Sequence, residues 1–270
     1  MKAETPRILF IGAGRMAEAI LAGLVSHEKF DREQLMIANH TDNERLQCLQ
    51  QQYGVSFTFD WREEVSDKDV ILLACPPEAH PEVLETLSKL VDGQFVVSVA
   101  AGIGTEKLQQ SLPEGTPVAW VMPNTAADIG ESISLYSLGS YVTDQHKKML
   151  QHMLAGIGES QACTDQQIHV LTAITGSAPA FIYRFAEILE KAAMHYGISQ
   201  EQARKLVVQM IYGSGAMLKN GEAPDELRQQ VTSPGGATAA GLEVLAQNNF
   251  SGIVKEAVTA VNARADEQAK

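Results

Sequence analysis

The sequence predicts an α/β protein, an N-terminal doubly wound sheet followed by an all-α C-terminal part. Three observations carry this expectation. Short apolar runs of strand length alternate with helix-patterned segments over residues 7–163, the pattern of a mostly parallel sheet with helices on both faces. The first run ends in a glycine turn that opens a helix. From Asp165 onward the pattern changes to long helical segments with no further strand. The expected domains are therefore 1–163 and 164–270.

Residues 7–11 form the first apolar run, ending at Gly12-Ala13-Gly14-Arg15-Met16-Ala17, and a helical pattern follows through Ala19, Ile20, Gly23 and Leu24. Strand, glycine turn and helix are together the setting of a dinucleotide-binding fingerprint, here with Ala17 at the third small position. Gly12 permits the tight turn, Gly14 lets a pyrophosphate approach the backbone, and Ala17 lets helix and strand pack closely. The second strand, 35–38, ends in Asn39-His40-Thr41. An NAD enzyme usually places an acid about 20 residues beyond the glycines, on the ribose hydroxyls. Here a neutral Asn39 ends the strand, and Asp42 lies further out at a helix start. Arg15, His40 and Arg45 would sit near a 2′-phosphate, which favours NADP(H), with NAD(H) as the other option.

Residues 42–53 read as a helix and 55–57 as a short strand. The continuous apolar run 70–74 is typical of a buried parallel strand; Cys75-Pro76-Pro77 ends it and 78–90 is helical. Strands at 95–99 and 118–121 close on Ala100-Ala101-Gly102 and Met122-Pro123-Asn124-Thr125, and a helix at 143–154 leads to a last strand at 159–163. Ligands of such sheets lie outside the carboxyl ends of the strands. Ala74, Ala100, Ala101 and Gly102 fall there; small residues at these ends fit either close packing or a nicotinamide needing room.

The helical part comprises 166–196, interrupted at Gly176-Ser177-Ala178-Pro179, then 200–218, 237–247 and 250–264, with 264–270 as a polar, fraying end. So many small and apolar helix positions suggest burial shared with another chain, a self-contained bundle being the alternative. Between two of these helices stands Val231-Thr232-Ser233-Pro234-Gly235-Gly236-Ala237-Thr238. A glycine pair turns the chain tightly and leaves backbone N–H groups unshielded at the positive end of a helix. That is a ready site for a small carboxylate, with Ser233, Gly236, Ala237 and Thr238 around it. The same residues also fit an ordinary N-capped helix after a Pro-Gly turn.

Bulk properties exclude several classes. With 45% hydrophobic and 20% charged residues, the 270-residue chain is ordinary for a globular protein with a sizeable core. A net charge of -12 argues against nucleic acid, whose binding rests on Lys and Arg. Cys48, Cys75 and Cys163 are far apart with no C-x-x-C spacing, so neither a metal site nor a disulfide framework is expected, and a reducing, cytoplasmic setting is. No apolar run reaches membrane-spanning length, and Arg15 and Glu18 interrupt the first one, which disfavours a signal peptide. His80, His152, His169 and His195 stand on helical stretches without a spaced partner and are not expected to be catalytic.

The run Leu227-Arg228-Gln229-Gln230-Val231-Thr232-Ser233-Pro234-Gly235-Gly236-Ala237-Thr238, with Gly241-Leu242 three residues on, closely resembles the signature of pyrroline-5-carboxylate reductases. The likeness extends through Gly12-Ala13-Gly14, Met16-Ala17-Glu18-Ala19-Ile20, Ser98-Val99-Ala100-Ala101-Gly102, Val121-Met122-Pro123-Asn124-Thr125 and Gly176-Ser177-Ala178-Pro179-Ala180-Phe181. The resemblance implies an N-terminal Rossmann-like domain and a C-terminal dimerisation domain. It implies hydride transfer from a reduced nicotinamide to the ring C=N carbon of pyrroline-5-carboxylate, giving L-proline, the last step of proline biosynthesis. It further implies cofactor contacts from Ile11, Gly12, Ala13, Gly14, Arg15 and Met16, from His40 beside Asn39, and from Cys75, Ala101 and Gln230. Gly236, Ala237 and Thr238 would hold the substrate carboxylate, and Asp165 stands where the family often has an acid near the ring. Thr238 is the expected catalytic residue, relaying a proton to the ring nitrogen or only orienting it. The implied assembly is a homodimer or a dimer-based larger ring, with substrate near the subunit boundary and no membrane or nucleic-acid partner.

The chain also departs from the family pattern. The usual Ala-Val-Lys-Pro is Ala74-Cys75-Pro76-Pro77, Trp61 stands where an Asn commonly holds the adenosine ribose, and Pro-Asn-Thr-Pro has become Pro123-Asn124-Thr125-Ala126. Two other readings follow. A β-hydroxyacid dehydrogenase would carry a catalytic Lys, absent around Gly176-Ser177-Ala178-Pro179-Ala180-Phe181. A non-catalytic cofactor-binding paralogue is conceivable from Trp61 and Pro76.

Overall fold

The computed structural model describes residues 5–27, 30–39 and 42–268. The chain divides into two units, the first running through Gly176 and the second from Ser177 to Gln268.

The first unit carries one eight-stranded sheet in the order β3-β2-β1-β4-β5-β6-β7-β8. Its strands are β1 (Ile8–Ile11), β2 (Leu35–Ala38), β3 (Ser56–Thr58), β4 (Val70–Leu73), β5 (Phe95–Ser98), β6 (Val118–Met122), β7 (Ser132–Leu138) and β8 (Gly158–Ala162). The helices are α1 (Arg15–Ser26), α2 (Asn43–Tyr53), α3 (His80–Leu87), α4 (Thr105–Ser111), α5 (Asp144–Ile157) and α6 (Asp165–Thr172). Every residue of β1, β4 and β5 is buried, because helices cover both faces. Ile8 and Phe10 enter a core with Leu21, Leu24 and Leu46, whereas Leu9 and Ile11 enter one with Trp61, Leu84 and Leu108. That two-sided burial is why these strands read as unbroken apolar runs. The order reverses between β1 and β4, which opens a crevice at the carboxyl ends of the strands there.

Two elements of this unit escape the sequence reading. β7 pairs antiparallel with β6, Val121 opposite Tyr136, so the sheet is parallel except at this pair. Its Ser-Ile-Ser-Leu start alternates polar and apolar before Leu135-Tyr136 breaks the pattern, and the serines keep it from reading as a continuous apolar run. α4, seven residues long, is too short for a clear helical period.

The second unit is helical. After a π-helical turn at Ala173–Ser177 come α7 (Pro179–His195), α8 (Gln200–Lys219), α9 (Pro224–Gln230), α10 (Ala237–Gln247) and α11 (Phe250–Gln268). α7 and α8 pack together, with Arg204 Nε 3.0 Å from Glu190 Oε1, and a Ser199–Gln202 capping box starts α8. α11 continues past Arg264, where fraying was expected; Arg264 pairs with Glu267 one turn on at 2.7 Å. Ala203 and Val207 are the only buried residues among the described ones of this unit. Leu206, Val208, Tyr212 and Ile253 each remain more than half exposed. A self-contained bundle hides its apolar stripe; this unit does not, in keeping with burial against another chain.

Candidate active site

A cleft of about 1200 Å³ opens at the carboxyl ends of β1, β2, β4 and β5. Of the cofactor residues expected from sequence, Ile11, Gly12, Ala13, Gly14, Arg15, Met16, Asn39, Cys75 and Ala101 all line it. His40 lies outside the described residues. Gln230 belongs to the second unit, where it ends α9 and its Nε2 donates to Glu222 Oε2 at 2.6 Å.

The glycines do different things. Gly12 has φ +115°, and a Cβ there would lie 2.6 Å from the carbonyl carbon and oxygen of Ala74 and from the Cys75 nitrogen. Only glycine fits both the dihedral and the contact. Gly14 has φ -74° and a Cβ there would meet nothing within 4 Å, so it faces open space. Gly14 is also the N-cap of α1, with no side-chain cap. The first-turn N–H groups of α1 therefore stand uncapped on the cleft wall, at the positive end of the helix. Cleft size, glycine surface and uncapped helix end fit a dinucleotide with its pyrophosphate at the start of α1.

Charged groups ring this end. Arg45 donates from Nε to the Ala13 carbonyl at 3.0 Å and from Nη2 to Glu18 at 2.7 Å, bracing the glycine loop. That hydrogen bond from Arg45 is the main cause holding the Glu18 carboxyl below its ordinary range. Arg15 pairs with Asp128. Asp42 caps α2 by accepting from Arg45 N at 2.9 Å, so one carboxylate oxygen is already engaged. Trp61 also lines the cleft, yet it is only 6% exposed and packs in the core, with the Arg62 guanidinium 5.3 Å over its ring. The indole is thus a packed wall rather than a free stacking surface. Glu82 and Thr86 of α3 complete that wall; nothing in their spacing marked them in the sequence.

Behind Cys75 lies His80, fully buried. Its Nδ1 is 3.1 Å from the Pro76 carbonyl oxygen and 3.6 Å from Cys75 Sγ, and its Nε2 is buried with no hydrogen-bond partner. Burial pushes the Cys75 thiol up to about 11, so it stays protonated at neutral pH. Burial likewise holds His80 below its ordinary value, Lys107 adding to this while the Pro76 carbonyl and Glu78 oppose it. Burial depresses His146 too, where it closes the Thr143 capping box. A histidine whose folded pKa is depressed takes its proton more readily when unfolded. Stability is then undiminished above the ordinary value of about 6.5 and falls as pH drops below it. Chemical denaturation at pH 7.5 and 5.5 should show a lower unfolding free energy at 5.5, with a smaller difference in His80→Asn and in His146→Asn. Equal pH dependence in all three proteins would remove the histidines as its cause.

The other expected site residues lie on α6 and at the start of α10. Asp165, the first residue of α6, accepts from Thr105 N at 2.7 Å and Thr105 Oγ1 at 2.9 Å, and from Ser137 Oγ. Both carboxylate oxygens are taken by the protein. In the second unit, Gly235 adopts φ +70°, and Gly236 is the N-cap of α10 with no side-chain cap. Gly236 N–H donates to the Ser233 carbonyl at 3.0 Å, which removes it from the donors expected for a carboxylate. Ala237 and Thr238 follow, both exposed, in the first turn of α10 where N–H groups have no intrahelical acceptor. Ser233 Oγ sits against Gly236, 2.5 Å from where a Cβ would be.

Comparison with known proteins agrees with this layout. Residues 165–268 match a family model described as pyrroline-5-carboxylate reductase dimerisation, and residues 7–102 match one described as NADP oxidoreductase, coenzyme F420-dependent. A pyrroline-5-carboxylate reductase of Bacillus subtilis is 35% identical over 257 residues, covering 94% of this chain and 86% of the relative. The structure of a pyrroline-5-carboxylate reductase from Coxiella burnetii superimposes with a TM-score of 0.89 at 30% identity, covering 99% of this chain and 100% of that one. A pyrroline carboxylate reductase from Plasmodium falciparum, solved with NADP bound, gives 0.88 at 27% identity, with 99% of each chain covered. With identity sustained over nearly the full length, on this sheet order and this glycine cleft, the chain belongs to the pyrroline-5-carboxylate reductase family.

Proposed function

We propose that this chain reduces 1-pyrroline-5-carboxylate to L-proline with a nicotinamide dinucleotide held in the first unit's cleft. The observation that carries the reading is the convergence of four separate stretches, ending β1, β2, β4 and β5, on one dinucleotide-sized cleft. The reduced nicotinamide, when bound, supplies the hydride for the ring C=N carbon. A protonated imine is already a good acceptor, so the protein's main contribution is position rather than strong acid catalysis. In this reading the Ala237 and Thr238 N–H groups hold the substrate carboxylate at the start of α10, Ser233 and Gly236 shaping the turn. The Thr238 hydroxyl bonds the ring nitrogen. Asp165 acts at one remove, fixing Thr105 and the start of α6. Gln230 reaches the cofactor by exchanging its bond to Glu222.

The cofactor preference in this proposal is NADP(H). No acid ends β2, and Asp42, the nearest one, is occupied as a helix cap. Arg15, Arg45 and Arg62 line the same cleft. The substrate domain is taken from residue 164, where the capped α6 begins, and the assembly is a homodimer or a multiple of it.

Absorbance loss of NADPH and NADH with pyrroline-5-carboxylate, run in parallel on the purified protein, tests the reading. Turnover with NADPH as the better donor is expected; tight dinucleotide binding without turnover would favour a sensor. Thr238→Ala should lower kcat/KM by about 10- to 100-fold, the worth of one hydrogen bond to a charged group. Unchanged kcat and KM in that variant would remove Thr238 from the mechanism.

A further inference from the structure

The segment between β4 and α3 forms one wall of the cleft, through Ala74, Cys75, Pro76, Pro77 and Ala79. Its consecutive prolines have no N–H groups, so that turn cannot be tied down by its own central donors. On one side the glycine loop presses on it: Ala74 N donates to the Ile11 carbonyl at 2.9 Å, and Gly12 abuts the Ala74 and Cys75 backbone. On the other side stands His80. The Pro76 carbonyl can only accept, so the proton of a neutral His80 resides on Nδ1 and points at that oxygen, 3.1 Å away. The same oxygen also accepts from Ala79 N at 3.0 Å. The Nε2 of His80 then carries a bare lone pair, buried without a partner. An apolar residue would avoid that cost at a position this buried. What histidine adds is the side-chain donor that the two prolines lack.

We propose that His80 is a positioning residue for the dinucleotide: its Nδ1–H holds the Pro76 carbonyl and keeps the Cys75-Pro76-Pro77 wall seated against the glycine loop. The inference rests on the cleft being the cofactor site. A wall released from His80 shifts away from Gly12 and widens the dinucleotide cleft, while groups that touch the substrate are untouched. Affinity for cofactor is then lost without loss of turnover.

The test compares the parent chain with His80→Leu, His80→Asn and His80→Gln by NADPH titration and steady-state kinetics. His80→Leu should raise the dinucleotide Kd and KM about tenfold, the equivalent of one neutral hydrogen bond, with kcat at saturating cofactor within about twofold. His80→Asn places an amide N–H near the position of Nδ1 and should bring Kd back to within about threefold of the parent. His80→Gln carries its amide one methylene further, where Nε2 lay, and should not. A general loss of packing would not separate Asn from Gln, and that comparison stands even if the leucine variant folds poorly. Equal affinity in Asn and Gln variants, or parent-like affinity in the leucine variant, overturns the proposal. A parent chain that binds neither NADPH nor NADH overturns instead the cofactor reading beneath it.

Discussion

Gly12→Ala is expected to unfold at markedly lower denaturant than the parent and to lose dinucleotide binding by at least about 100-fold. Two costs combine. The φ of +115° lies where an L side chain is strained, and the added methyl would sit 2.6 Å from three backbone atoms of Ala74 and Cys75. A flexible side chain can swing away from such a contact, but a strand-end backbone can yield only by moving. Each cost is of order 1–3 kcal/mol, so a loss of about 2–6 kcal/mol in stability follows. The retreating wall is also the cleft wall, so affinity falls with it. Gly14→Ala separates the two effects. Its φ is ordinary, and a Cβ there meets no protein atom within 4 Å. Stability should stay within about 1 kcal/mol of the parent. The methyl nevertheless projects where the pyrophosphate must approach the start of α1, so binding should still weaken by about tenfold or more. Denaturation and NADPH titration on both variants check this. If Gly14→Ala bound NADPH as the parent does, the pyrophosphate would not lie on this loop.

The contrast between these glycines also shows how far sequence reading reaches. The spacing Gly12-Ala13-Gly14-Arg15-Met16-Ala17 after a strand was enough to locate the cleft, because fingerprint chemistry is local: turn, approach and helix end all lie within six residues. Strands buried on both faces were legible for a similar reason, since β1 and β4 have no polar alternation to confuse them. Contacts that join distant stretches were not legible. Nothing in the spacing shows that Thr105 and Ser137, 60 and 28 residues away, donate to the two oxygens of Asp165. Trp61 stands in the chain where a ribose-holding Asn is usual, and its place in the core depends on distant residues, Leu9 of β1 and Ile71 of β4 sharing its buried cluster. Gly236 lost its N–H to Ser233 through the detailed path of a turn that composition does not specify. His80 read as an ordinary helix histidine, and no pattern in the chain announces that its ring reaches back to Pro76.

Lysine at both Leu206 and Met210 is expected to dissociate the assembly and abolish activity at micromolar protein. These residues lie one turn apart on α8, 61% and 45% exposed in the single chain, so they form one apolar stripe on the helix. Val208 and Tyr212, more than half exposed, form a second apolar pair one turn apart on a different face of the same helix. The second unit, from Ser177 to Gln268, buries only Ala203 and Val207 among its described residues. Ordering a residue costs about 1–2 kcal/mol of backbone entropy, and two buried side chains return at most a few kcal/mol. The helices cannot be held by their own core. The missing apolar burial has to come from a second copy, in line with the dimerisation model matched by residues 165–268. Charges introduced on such a face must either stay in water, which separates the copies, or be buried unpaired, which costs several kcal/mol each. In a symmetric pair every substitution counts twice. The dissociation constant should therefore rise by at least about 1,000-fold. Light scattering behind size exclusion reads the mass, and far-ultraviolet circular dichroism reads helix content on dilution. Loss of mass together with loss of helix is the expected outcome, because the second unit's order depends on its partner. A variant that keeps the parent's mass and activity would mean that the stripe faces solvent, and that the shared core lies on another face of these helices.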